Sequence, residues 1–443
     1  MNKNAGKYLT SLLGWVDARF PLTANWKAHL SEYYAPKNFN FWYYFGSLAL
    51  LVLVLQILTG ILLTMHYKPD AVLAFASVEY IMRDVPWGWL IRYMHSTGAS
   101  LFFVVVYLHM FRGLIYGSYR APRELIWLFG MGIFLALMGE AFFGYLLPWG
   151  QMSYWGAQVI INLFTSIPFI GPDISEWVRG DYIVSDATLN RFFAFHVIAL
   201  PLVLLGLVVA HIVALHEVGS NNPDGIEIKQ YKDKKTGIPL DGIPFHPYYT
   251  VKDIVGVSVF LIVFSAIIFF APEMGGYFLE ANNFIPANPL QTPAHIAPVW
   301  YFTPYYSILR SVPPTPALTV FGMHILTPSQ FPGVVAMGLS VLVFALLPWL
   351  DRSPVKSIRY RGALYKKWLA AFVVSFLILG YLGTVPTNIW GTFSADIFIL
   401  GGADRATVVA RIFTLVYFAF FILMPWYTKR DKTKPVPDRV TGQ

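Results

Sequence analysis

The chain has 443 residues, of which 56% are hydrophobic and only 13% charged; its formal net charge is +8 and it contains no cysteine. Soluble domains carry about a quarter charged residues, so a soluble globular fold is excluded. The lack of thiols excludes disulfides, thiolate haem ligation, CxxCH haem attachment and iron–sulfur clusters bound by this chain, so any metal must be held by histidine, carboxylate or methionine.

Residues 4–20 are amphipathic and are expected to lie on a membrane surface. They lack the apolar core and cleavage site of a signal peptide. Eight apolar runs follow, at 41–65, 90–115, 125–147, 189–215, 251–271, 331–350, 368–382 and 408–426. Most reach the roughly 20 residues that a hydrocarbon core requires. The run 368–382 is short unless it extends towards Tyr365 and Val385. The predicted fold class is therefore an all-α integral membrane protein with eight transmembrane helices.

Basic residues alternate with these runs. Lys3, Lys7, Arg19, Lys27 and Lys37 precede the first, Arg120 and Arg123 separate the second and third, and Lys229 to Lys235 separate the fourth and fifth. Arg352 to Lys367 separate the sixth and seventh, and Lys429 to Arg439 follow the eighth, whereas 253–309 hold no cation. This pattern is topological rather than a nucleic-acid signal, and it places both termini in the cytoplasm. The expected organisation is an amphipathic cytoplasmic segment (1–40), a four-helix bundle with a long outer loop (41–216), and a cytoplasmic loop (217–250). A second four-helix domain (251–428) and a cytoplasmic tail (429–443) complete it. The outer loops 150–186 and 272–316 are long, aromatic and rich in Pro and Gly, so they are expected to fold into short helices over a pocket.

Four histidines lie inside two of the runs. His95 and His109 are 14 residues apart, and His196 and His211 are 15 apart. Either step is roughly 21–22 Å of helix and keeps each pair near one helix face. Two such helices side by side present two facing pairs, one towards each membrane surface, which suits two non-covalent bis-histidine haems. Gly46 and Gly60, and Gly130 and Gly144, repeat the 14-residue step in the first and third runs. Glycine costs roughly 1 kcal/mol in a helix interior, and close approach to a flat ligand is a reason to keep it. Packing of small residues would explain any one of them, but two pairs at the histidine spacing favour the haem reading. Arg92 and Arg112 stand three residues from His95 and His109, where they can pair with haem propionates or reach to headgroups. His29, His66, His246, His295 and His324 lie in loops or at span ends and are expected to be interfacial.

Five runs carry a family resemblance: RYMHSTGAS from Arg92, GYLLPWGQMS from Gly144, RFFAFH from Arg191, HEVGSNNP from His216 and FHPYYTVKD from Phe245. Together they resemble cytochrome b of the respiratory quinol–cytochrome c oxidoreductase, in its fused bacterial form. The resemblance implies that His95 and His196 ligate a low-potential b-type haem near the outer face, and His109 and His211 a high-potential one near the cytoplasm. It implies an outer quinol-oxidation pocket with Tyr145, Gly156, Trp300 and Tyr301, and an inner quinone-reduction pocket with His216, Ser220, Lys252 and Asp253. The implied function is oxidation of quinol outside, electron transfer across the membrane and reduction of quinone inside, which builds a proton gradient. The implied partners are a Rieske iron–sulfur protein, a membrane-anchored c-type cytochrome, a second copy of the complex, quinone and lipids, with no nucleic acid. The implied location is the bacterial inner membrane.

Two features depart from the family pattern. Its outer-pocket signature Pro-Glu-Trp-Tyr is here Pro298-Val299-Trp300-Tyr301, so the proton-accepting glutamate is missing. Glu140, five residues before Tyr145, is the expected replacement, ahead of Glu273. The second departure is the 15-residue step, one longer than in most respiratory members. It predicts a distorted fourth helix near Pro201, since proline already removes a helix hydrogen bond. His216, 20 residues from His196, is too distant to serve as the second ligand. A dihaem anchor that only relays electrons lacks such a second half, and a secondary transporter would need broken helices or repeats.

Overall fold

The computed structural model describes residues 12–27, 31–314, 318–320, 323–326, 329–393 and 404–441. Lys3, Lys7, His29 and the first part of the 4–20 segment lie outside the described residues, as does the side chain of His324. Eight helices among the described residues are long and apolar enough to cross a membrane: Phe41–Thr64, Gly88–Tyr116, Glu124–Leu146, Asp186–Val218, Phe245–Phe270, Phe331–Leu350, Ala363–Thr384 and Arg405–Ile422. The seventh is longer than its apolar run because Tyr365 is buried while Lys366 and Lys367 point outwards, which lets the helix continue past the hydrocarbon.

Local chemistry sets the helix ends. Asn40 opens the first span by accepting the Trp42 N–H at 3.2 Å. The second span stops at Gly117, whose φ of 63° and close approach to the Lys356 backbone leave no room for a side chain. The fourth span carries the expected distortion as a π-helical turn over Phe195–Ala199, in which the Leu200 N–H donates to the carbonyl of Phe195, five residues back. One wide turn absorbs one extra residue. It ends just before Pro201 and contains His196 itself.

The first span packs on the second and the third on the fourth, which forms the histidine-bearing half. The second half is not separate from it: one hydrophobic core joins them. Phe103 stacks on Tyr301 with ring centroids 3.9 Å apart, an arrangement that contributes about 0.5–1.5 kcal/mol beyond burial. Buried phenols and an indole donate to backbone carbonyls across the seam: Tyr107 to Tyr301 at 2.6 Å, Trp127 to Phe344 at 2.7 Å and Tyr365 to Leu114 at 2.8 Å. Without water, such groups must find protein acceptors.

The two faces of the bundle differ. One, here termed the basic face, gathers the N-terminal segment, the loop after the fourth span and the C-terminal tail. Strand β1 (Tyr34–Pro36) pairs antiparallel with β2 (Gly242–Pro244), with Ala35 opposite Ile243. Asp241 bonds Lys37 at 2.9 Å and Arg439 at 2.6 Å, and Asp224 bonds Arg359 at 3.0 Å and the Thr441 hydroxyl at 2.8 Å. On the opposite face the long loops fold into Gln151–Phe164, Gly171–Arg179 and Thr303–Ser311, with one-turn helices at Ala281–Phe284 and Trp300–Phe302. They are stitched together by Asn283, which accepts the Ser153 N–H at 2.8 Å, and by Gln151, which accepts the Asn288 N–H at 2.7 Å.

Candidate functional site

The second and fourth spans bring the four histidines into two facing pairs. The His95 and His196 ring centroids are 6.1 Å apart with planes at 89°, and those of His109 and His211 are 6.4 Å apart at 63°. Each glycine of the 14-residue pairs faces one of these rings. A Cβ at Gly46 would stand 3.4 Å from His109 Cε1, at Gly60 3.3 Å from His95 Cε1, and at Gly130 3.4 Å from His211 Cε1. At Gly144 a Cβ would overlap the His196 ring. Each glycine notch thus faces an imidazole ring.

Three of the rings are oriented through Nδ1. The Thr59 hydroxyl lies 2.9 Å from His95 Nδ1 and donates its own proton to the Leu55 carbonyl at 2.6 Å, so it accepts from the imidazole. His196 Nδ1 is 3.0 Å from the Glu140 carbonyl, and His211 Nδ1 is 2.9 Å from that of Ile126. His109 Nδ1 is buried without a partner. An imidazole held at Nδ1 offers Nε2 to a metal. Two imidazole nitrogens per site, with centroids just over 6 Å apart, leave room for a metal with bonds of roughly 2 Å to each. Arg92 and Arg112 form no ion pair among the described residues, and Arg112 Nε is buried and unpartnered. Arg112 also donates to the Ser118 hydroxyl at 3.1 Å and lies 5.0 Å over the Tyr43 ring. Two half-buried guanidiniums without a carboxylate partner among the described residues, beside two paired-imidazole sites, fit haem.

A cavity of about 330 Å³ extends from the gap between His95 and His196 towards the opposite face, lined by Glu140, Gly144, Tyr145, Phe278, Val299 and Tyr301. Gly156 faces the Tyr145 ring, where a Cβ would stand 3.6 Å away, and the Trp300 indole donates to the Ser100 hydroxyl at 3.2 Å. Val299 is buried in the apolar core. Glu140 turns to the histidine, with Oε1 3.1 Å from His196 Nδ1, and does not contact the Tyr145 hydroxyl. Glu273 is exposed. The carboxylate on Tyr145 is Glu280, whose Oε2 accepts the phenol proton at 2.6 Å. Sequence reasoning missed Glu280 because its loop has no periodicity. The available signal was that residues 272–316 contain just two acidic residues, Glu273 and Glu280.

At the other end of the ladder, the Tyr33 ring stacks on His216 at 4.5 Å with planes 11° apart, and its hydroxyl lies 3.2 Å from the Ser220 hydroxyl. Tyr33 was not singled out in the sequence. Lys252 lies 5.4 Å over the Tyr249 ring, and Tyr249 donates to the Pro36 carbonyl at 2.5 Å, which ties the fifth span to the segment that carries Tyr33. Asp253 is the next residue on the same helix, half-buried.

The fold and site define a class: a multi-pass helical membrane protein with two facing pairs of half-buried histidines on the same two helices. The family model described as Cytochrome b/b6/petB matches residues 30–219, and that described as Cytochrome b(C-terminal)/b6/petD matches 286–401. A protein named Cytochrome b from Allochromatium vinosum is 63% identical over 439 residues, covering 98% of this chain and 99% of its own length. One of the same name from Rickettsia conorii is 46% identical, covering 97% of each. A solved structure titled Hyperthermophilic respiratory Complex III contains a chain with a TM-score of 0.81 and 38% identity, covering 94% of this chain and 99% of that one. The chain belongs to the haem-binding cytochrome b family, as the cytochrome b of a bc complex.

Proposed function

We propose that this chain is the dihaem core of a quinol–cytochrome c oxidoreductase, with His95 and His196 holding one b-type haem and His109 and His211 the other. Arg92 and Arg112 would meet their propionates. Bound there, the haems would supply one-electron carriers on a path across the membrane. The basic face is assigned to the cytoplasm, with both termini, by the positive-inside rule; the membrane is then the bacterial inner membrane.

Quinol oxidation is assigned to the cavity beside His95 and His196, where the apolar wall excludes water and Tyr145 and Tyr301 supply hydroxyls. Quinone reduction is assigned to the basic end, where His216, Ser220, Lys252 and Asp253 offer proton donors and a cation to a ring oxygen. Tyr33 holds the His216 ring by stacking. Proton release on one side and uptake on the other builds the gradient. Because this chain has no cysteine, a Rieske iron–sulfur protein and a membrane-anchored c-type cytochrome must accept the electrons that leave, within a complex built as a dimer.

The observation that carries this reading is the position of a cavity and a polar cluster at opposite ends of one histidine ladder. A titration of the purified complex with two quinone-site inhibitors tests it. Two independent binding sites are expected, each abolished by substitutions at one end alone. A single site would reduce the chain to an electron relay.

A further inference from the structure

The half-buried carboxylate acceptor on Tyr145 has no counterpart in the sequence-based expectations. Glu280 opens the one-turn helix Ala281–Phe284 of the long loop, and its Oε2 takes the Tyr145 hydroxyl proton at 2.6 Å. Among the described residues no cation pairs with it. Tyr145 lines the large cavity, while Glu280 lines a second one of about 40 Å³ that adjoins it. Leu279, Asn283, Pro148 and Arg92 border both. The titratable and charged groups around Glu280 are Tyr145 from the third span, Tyr301 from the Trp300–Phe302 turn, Arg92 and Tyr93 from the second span, and Glu79 from the helix Ala74–Arg83. Glu79, which lines the small cavity, is partly exposed and pairs with the exposed Arg83 at 2.6 Å.

From this arrangement we propose that Glu280 is the carboxylate that receives the quinol proton, through the Tyr145 hydroxyl, in place of the acidic residue absent at Val299. The proposal rests on the assignment of quinol oxidation to the large cavity. In the step, a quinol O–H bond breaks and its proton bonds to Tyr145 Oη as the phenol's own proton moves to Glu280 Oε2. Tyr145 ends neutral, Glu280 ends as the acid, and the quinol is left as its anion. The acid then releases its proton into the small cavity and regains its charge. No oxidant takes part in this step. Burial pushes the Glu280 carboxyl above the ordinary carboxylate range, with the Tyr145 bond holding it back in part, which brings it towards the pH at which such a base works. Glu280 acts through Tyr145, so it is a positioning and relay residue.

The test uses the whole complex with its partner subunits, a short-chain ubiquinol and oxidised cytochrome c. Wild-type turnover is expected to rise with pH as Glu280 ionises. Glu280→Gln should lower it on the order of a hundredfold and flatten that rise, with haem absorbance and binding of an outer-site inhibitor unchanged. Glu280→Asp should restore part of the rate and the pH dependence. If Glu280→Gln does not assemble, Tyr145→Phe should give the same flattened profile. A wild-type profile in the Gln or Phe variant overturns the proposal, as does equal loss in Gln and Asp variants together with lost inhibitor binding. Turnover of the unsubstituted complex that no outer-site inhibitor stops overturns instead the assignment of the cavity.

Discussion

On the basic face, Asp224, Asp241 and Asp351 are buried against Arg359, against Lys37 and Arg439, and against Arg361 and Arg120. On the opposite side, Glu280 is half-buried against a phenol and Glu140 half-buried against an imidazole. The same side-chain chemistry thus serves two ends. A carboxylate locked by guanidinium keeps its charge and ties strands, loop and tail together. A carboxylate whose partner is a neutral hydroxyl can take up and release a proton. The difference lies in the cations: residues 253–309 have none, while the loops of the basic face hold most of them.

The sharpest way to break the comparison between the two ends is at the ligands. His95→Leu should abolish the haem of the cavity end and leave the other, and His109→Leu should do the reverse, as read in reduced-minus-oxidised spectra. Next in size is Arg361→Ala. It leaves Asp351 buried with the more distant Arg120 at 3.9 Å and should destabilise the complex by about 3–5 kcal/mol in thermal unfolding. The glycines give a graded contrast. Gly144→Ala drives a methyl into the His196 ring and should cost about 1–3 kcal/mol with loss of the cavity-end haem signal, while Gly46→Ala should retain both signals.

The smallest effect is in acid. Burial alone would raise the Asp241 carboxyl, but Arg439 and Lys37 hold it down to about 2, against an ordinary 3.8. A folded-state value below the unfolded one stabilises above the unfolded value and is lost as pH falls through the folded one. The stability gap between wild type and Asp241→Asn should therefore be constant at neutral pH and close between pH 3.8 and about 2. A gap that widens in acid would contradict the clasp.

Much of this was legible in the sequence because the membrane makes it so. Apolar runs mark spans, and the paired 14- and 15-residue steps survive as geometry because helices have a fixed rise. The one-residue surplus before His211 became a π turn, centred slightly before the expected Pro201. The connections were not legible. Glu280 and Tyr33 sit in segments without periodicity, and their roles come from residues 135 and 183 positions away, Tyr145 and His216. Helix rise places Glu140 near Tyr145, and both line one cavity, but rise does not fix azimuth: its Oε1 stands 3.1 Å from His196 Nδ1 on the fourth span. Thr59, which orients His95, reads in sequence as an ordinary polar residue in a span.

The central claim is that two histidine pairs on one pair of helices hold two distinct redox centres. A reductive titration of the b-type absorbance in the purified complex measures it most directly. Two components with separate midpoint potentials are expected, one lost with His95→Leu and the other with His109→Leu. A single component, or loss of the same component in both variants, would contradict the account.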